Sequence, residues 1–175
     1  EEKLTNGVLK VLKDKAVTLC FLTGHGEKGV DSPDAEGFST LKKELQSQNY
    51  ESRNLSILEE GKVPEVCSLL VVFGPTRALF DKEKQILSDW LEHGGRALFG
   101  LDPSIKGSDE SADFKALLAT WFVEIKHNLV IDPTSRMLGA NASVPLVGIY
   151  NKEHAVTKDY QVASLFPLAS TIDAK

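Results

Sequence analysis

The feature that most constrains this chain is the apolar run at residues 16–22, Ala-Val-Thr-Leu-Cys-Phe-Leu, which stops at Thr23-Gly24-His25-Gly26-Glu27. The run is rich in strand formers and lacks the apolar/polar alternation of a half-exposed strand. It therefore predicts a strand buried on both faces, as at the centre of a parallel sheet covered by helices. The turn behind it then lies at the carboxyl edge of that sheet, where open α/β folds bind their ligands.

The rest of the chain supplies matching elements. Phe38, Leu41 and Leu45 form a helical stripe, with Ser39 or Thr40 placed to cap its start. Residues 50–57 read as a second strand, and residues 68–73 as a third, ended by Gly74-Pro75. Ile86, Leu87, Trp90 and Leu91 mark a helix with Asp81 as its cap and Gly94 at its left-handed stop. Residues 96–101 form a fourth strand, 114–122 a helix, and 123–131 one or two further strands. Leu4, Val8, Val11 and Leu12 suggest a short opening helix, while residues 144–150 and 160–172 mix strand patterns with turn residues. The expectation is a single α/β domain over residues 1–175, doubly wound around one mostly parallel sheet. The chain starts without methionine and stops soon after an apolar run, so a piece of a longer protein is expected.

Composition narrows the function. A net charge of −5 and the lack of any long Lys/Arg cluster argue against nucleic acid. No stretch reaches the roughly 18 apolar residues of a membrane span, and nothing resembles a signal peptide, so membrane attachment would come from segments outside this chain. Cys20 lies inside one strand and Cys67 just before another; both read as small buried hydrophobes, with a disulfide between neighbouring strands left open as an alternative.

Three turns should meet at the carboxyl edge. They give the candidate ligand-binding residues Thr23, Gly24, His25, Gly26, Glu27, Gly74, Pro75 and Asp102. The two glycines of the first turn permit backbone angles that leave amides exposed, with His25 and Glu27 pointing outward. His25, Glu27 and Asp102 lack a metal-ligand spacing rule, and no cofactor is expected. Gly24, Gly26 and Gly29 match the letters of a dinucleotide fingerprint, but a polar loop follows where a helix should start, and Glu27 would repel a pyrophosphate. The elbow Phe99-Gly100-Leu101-Asp102 carries no nucleophile, so no catalytic residue is assigned; a hydrolase using His25, Glu27 and Asp102 is the alternative. His93 and His127 read as structural, and Trp90 and Trp121 as core residues.

Taken together, Thr23-Gly24-His25-Gly26-Glu27, Gly61-Lys62-Val63-Pro64, Phe73-Gly74-Pro75, Leu91-Glu92-His93-Gly94-Gly95-Arg96 and Leu129-Val130-Ile131-Asp132-Pro133 resemble the auxiliary domain of ABC-type transport systems associated with gliding motility. Tyr150 through His154, Thr157 and Phe166-Pro167-Leu168-Ala169 resemble its later portion. The resemblance implies a flavodoxin-like or class I glutamine-amidotransferase-like fold, held at the periplasmic or extracytoplasmic face of the inner membrane by a membrane-anchored parent. It also implies ABC transporter permease or ATPase subunits as partners, and a small ligand in the old crevice. Related amidotransferase-like enzymes place a nucleophile where this chain reads Gly100-Leu101-Asp102, a departure that favours a non-enzymatic role.

Overall fold

The computed structural model describes residues 17–34, 37–104, 107, 109–137 and 139–174. The predicted opening helix at residues 4–12 lies outside them. The chain divides into two compact units, Glu1–Leu101 with Glu110–Leu117, and Asp102–Asp109 with Leu118–Lys175.

The first unit is built on β1 (Val17–Leu22), α1 (Ser39–Ser47), β2 (Tyr50–Leu55), α2 (Ile57–Glu60), β3 (Cys67–Phe73), α3 (Asp81–Glu92) and β4 (Ala97–Gly100), followed by the start of α4 (Ala112–Thr120). Its four strands pair in parallel in the order β2-β1-β3-β4. This order is compatible with a flavodoxin-like arrangement, in which the winding reverses between β1 and β3.

Alternation along the two central strands explains why both faces are covered. Cys20 and Leu22 of β1 and Leu70 and Val72 of β3 enter one core with Leu87 of α3 and Phe114 of α4. Phe21 and Val71 enter the other core, where Phe38, just ahead of α1, packs with Leu41 and Leu45 of α1. Burying Phe114 and Leu87 completely is worth about 1.5–3 kcal/mol for each side chain.

Several boundaries differ from the sequence reading for local reasons. The second strand stops at Leu55, because the Ser56 hydroxyl accepts from the Glu59 amide at 3.4 Å and starts a helical turn that Gly61 closes. Neither Ser39 nor Thr40 caps α1: Phe38 holds the cap position without a side-chain bond. Asp81 is the first residue of α3 rather than its cap, and the Phe80 amide instead donates to Glu83 Oε2 at 3.1 Å. Gly94 does close α3, with φ at 88°.

The larger correction concerns the cysteines. Cys20 and Cys67 do not remain separate hydrophobes; they form a disulfide across the β1–β3 pair, with Cα atoms 5.5 Å apart. The parallel register sets Cys67 beside Thr18, which brings the two sulfurs within bonding reach.

The second unit contains α5 (Pro133–Met137) and two antiparallel pairs, β5 (Val123–Ile125) with β8 (Ile172–Ala174), and β6 (Leu146–Val147) with β7 (Ser164–Leu165). Only the first three residues of the predicted 123–131 strand region are extended in a sheet. Lys126 bridges Glu124 and Asp173 on adjacent strands at 2.8 and 3.1 Å. Asp132 organises the start of α5: it accepts from the Thr134 hydroxyl, the Ser135 hydroxyl, the Leu146 amide and the Thr134 amide, and these bonds hold its carboxyl down at about 2. Trp121, expected in the core, is 43% exposed, and His127 is exposed outside any strand. No helix among the described residues is long and apolar enough to cross a membrane.

Candidate functional site

The turn after β1 is held from both neighbouring strands. The Thr23 amide and hydroxyl both donate to the Leu55 carbonyl, at 2.9 and 3.2 Å, which extends the β1–β2 ladder by one residue. On the other side the Lys28 amide donates to the Phe73 carbonyl at 3.0 Å, and the Thr76 amide donates to the His25 carbonyl at 2.8 Å. Thr23 through Glu27 and the Gly74-Pro75-Thr76 turn are thereby brought together across the point where the winding reverses.

Gly26 is required twice over. Its φ of 79° lies in the left-handed region, and a Cβ there would stand 2.0 Å from Thr76 Oγ1. Gly24, with φ at 118°, has open space around it. Gly74 and Pro75 are buried, and the Gly74 amide donates to the Gly100 carbonyl at 2.8 Å.

Between the two glycines the intervening side chain turns inward, so the expectation that His25 points outward is corrected. His25 is only 2% exposed. Its Nε2 lies 2.8 Å from Glu83 Oε2 and its Nδ1 lies 3.1 Å from Glu27 Oε1. Its backbone amide donates to Glu27 Oε2 at 2.7 Å, and its ring meets Phe114 edge-on with centroids 6.4 Å apart. Both glutamate side chains are as buried as the imidazole. A neutral imidazole carries one N–H, so bonding to both carboxylates needs a second proton on the ring or on one carboxyl. Glu83 Oε1 is buried without a hydrogen-bond partner among the described residues.

This arrangement defines what the turn can do. Both imidazole nitrogens are occupied from within the protein, which leaves neither for a substrate proton or a metal ion. Among the described residues no three His, Cys, Asp or Glu side chains are placed to hold a metal. Asp102 is exposed and belongs to the second unit. Both sulfurs are consumed in the disulfide, so neither cysteine is a free thiol.

The turn Gly74-Pro75-Thr76 was expected at this edge, and Thr76 lies there, but sequence reasoning missed Glu83 and Phe114 as parts of the site. Glu83 had a usable signal: an acidic residue at the third position of a helix commonly caps the helix start. That signal explains its bond to the Phe80 amide but not its bond to a histidine 58 residues away.

A solved structure, the mmIFT52 N-terminal domain, superposes with a TM-score of 0.70 at 20% identity, over 90% of this chain and 68% of that one. At that identity the likeness shows a shared fold alone. No curated protein matches the sequence. The family described as "ABC-type uncharacterized transport system" matches residues 16–175, nearly the whole length, and the chain belongs to that family of auxiliary transport-system components.

Proposed function

We propose that this chain is a non-catalytic, extracytoplasmic accessory domain that recognises a partner or a small ligand for an ABC-type transport system. The observation that carries the reading is the enclosure of His25 between Glu27 and Glu83 at the edge where an α/β enzyme would present its chemistry. An amidotransferase-like scaffold without a nucleophile at Gly100-Leu101-Asp102 fits the same role. The resemblance in the turn motifs extends the proposal to systems associated with gliding motility.

The Cys20–Cys67 disulfide supports the extracytoplasmic location, because such bonds persist in oxidising compartments and are rare in a reducing cytosol. On that side of the membrane the permease, rather than the ATPase, offers surface for direct contact. The alternative hydrolase loses support because its histidine has no ring nitrogen to spare.

The test is affinity capture of the intact parent protein from its own membranes. Recovery of a permease subunit is the expected result; capture without any transporter component would refute the role. Location is checked separately by alkylating the natively isolated protein before reduction. Blocked cysteines are expected, and two alkylated thiols would place the protein in a reducing compartment.

A further inference from the structure

The amino end of the same sheet carries a cleft where the Gly61-Lys62-Val63 and His93-Gly94-Gly95-Arg96 segments meet. It consists of a chamber of about 390 Å³ and a second of about 230 Å³, which share Trp90 and His93. Cys67 and Ser68 at the start of β3, and Arg96 just before β4, place it opposite the His25 turn. The larger chamber falls in the volume range of small-molecule sites, about 300–1,000 Å³.

The two chambers differ in chemistry. Val63, Ile86 and Trp90 give the larger one an apolar wall. The smaller one is lined by Ser68, Arg96 and the Gly94-Gly95 backbone as well as Cys67. Gly95 makes the shared wall possible, since a Cβ there would lie 2.4 Å from Cδ2 of the Trp90 indole. The His93 ring is held through Nδ1, 2.6 Å from the Asp89 carbonyl. The Asp89 carboxylate already accepts from Gln85 at 2.7 Å. Lys62 and Arg96, in contrast, have no carboxylate partner among the described residues.

An apolar wall that runs into a cationic end is complementary to a ligand built the same way. We propose that this cleft binds a small anion with an apolar body, its ring or acyl chain against Val63, Ile86 and Trp90 and its charged group against Arg96 and Ser68. The inference rests on the cleft alone and does not depend on the transporter role.

The probe is anilinonaphthalene sulfonate, an aryl anion, with the uncharged phenylnaphthylamine as its control. Both are titrated into the full chain carrying Trp121→Phe, which leaves Trp90 as the sole tryptophan reporter. Saturable quenching of Trp90 by the sulfonate is expected. Arg96→Gln should weaken its binding about tenfold, and Lys62→Gln about threefold. The neutral probe should bind more weakly and ignore both substitutions. Equal sulfonate affinity in the chain and in Arg96→Gln would overturn the proposal. So would equally tight binding of the neutral probe, or loss of the signal through Phe166→Ser and Ile172→Ser on the exposed apolar surface of the second unit.

Discussion

At the carboxyl end of the sheet, His25 is enclosed with both ring nitrogens bonded to buried glutamates. At the amino end, Lys62 and Arg96 stand beside Trp90 with no carboxylate partner among the described residues. The same four strands support both ends. In open α/β sheets the carboxyl end at the winding reversal is the usual binding place. Here that end pairs both ring nitrogens of its histidine internally, leaving Glu83 Oε1 as the buried oxygen without a partner among the described residues. The open cleft lies at the end that fold analogy would pass over, which shows why a site has to be argued from its own groups.

The largest expected effect tests whether the His25 turn is a structural lock. His25→Ala strands two buried carboxylates and should cost about 3–5 kcal/mol in urea unfolding. A loss below about 1 kcal/mol would break the contrast between the ends, because the buried cluster would then be dispensable. Adding Glu27→Gln and Glu83→Gln should recover part of the loss by removing the stranded charges.

Reduction of Cys20–Cys67 comes next. The bond spans 47 residues of sequence, so its loss should cost about 2–4 kcal/mol by calorimetry. Because Cys67 lines the cleft, hydrogen exchange should rise at the starts of β1 and β3 more than at the His25 amide. Equal loosening at both ends would show that they are not mechanically distinct.

Gly26→Ala introduces a left-handed alanine and a contact with Thr76, and should cost about 1–3 kcal/mol in thermal unfolding. Combining it with Thr76→Ala removes the contact but not the backbone strain, so only part of the loss should return. Full recovery would assign the whole requirement for glycine to Thr76.

Acid offers a reference in the second unit. The Asp132 carboxyl, ordinarily at 3.8, is held at about 2 by its hydrogen bonds, so the folded state favours its ionised form. Its contribution is complete above the ordinary value and is lost as pH falls through about 2. Protection of the Leu146 amide should therefore drop over that window in the parent chain, and the pH dependence should vanish in Asp132→Asn. A similar loss in Asp132→Asn would assign the acid response to other groups.

The smallest effect belongs to the open end. Arg96→Gln should leave stability within about 0.5 kcal/mol, as expected of an exposed side chain without a partner. A larger loss would mean that Arg96 holds the fold together, and the two ends would no longer differ in kind.

Much of the architecture was readable because its signals are local. The run that became β1 and the run that became β3 are apolar on both faces, and the stripe of Ile86, Leu87, Trp90 and Leu91 has helical period. Cys20 and Cys67 were legible as buried but not as bonded, since their pairing depends on β1 and β3 lying side by side in one register. Trp121 was misread because the helix that was to bury it ends at Thr120. The cleft escaped notice because Lys62, Trp90 and Arg96 come from separate segments, and nothing local to the Gly61–Pro64 or Leu91–Arg96 motif says that the two meet.

By itself, the sequence determined that Val17–Leu22 form a buried strand and that a turn with two permissive glycines follows. Those are properties of neighbouring residues: apolar content without alternation, and backbone freedom at Gly24 and Gly26. Only the tertiary structure decided that His25 turns inward. The glycines permit the inward turn without selecting it, and the selection comes from Glu83, brought by α3 from 58 residues away to supply the second carboxylate that makes burial of the imidazole tolerable.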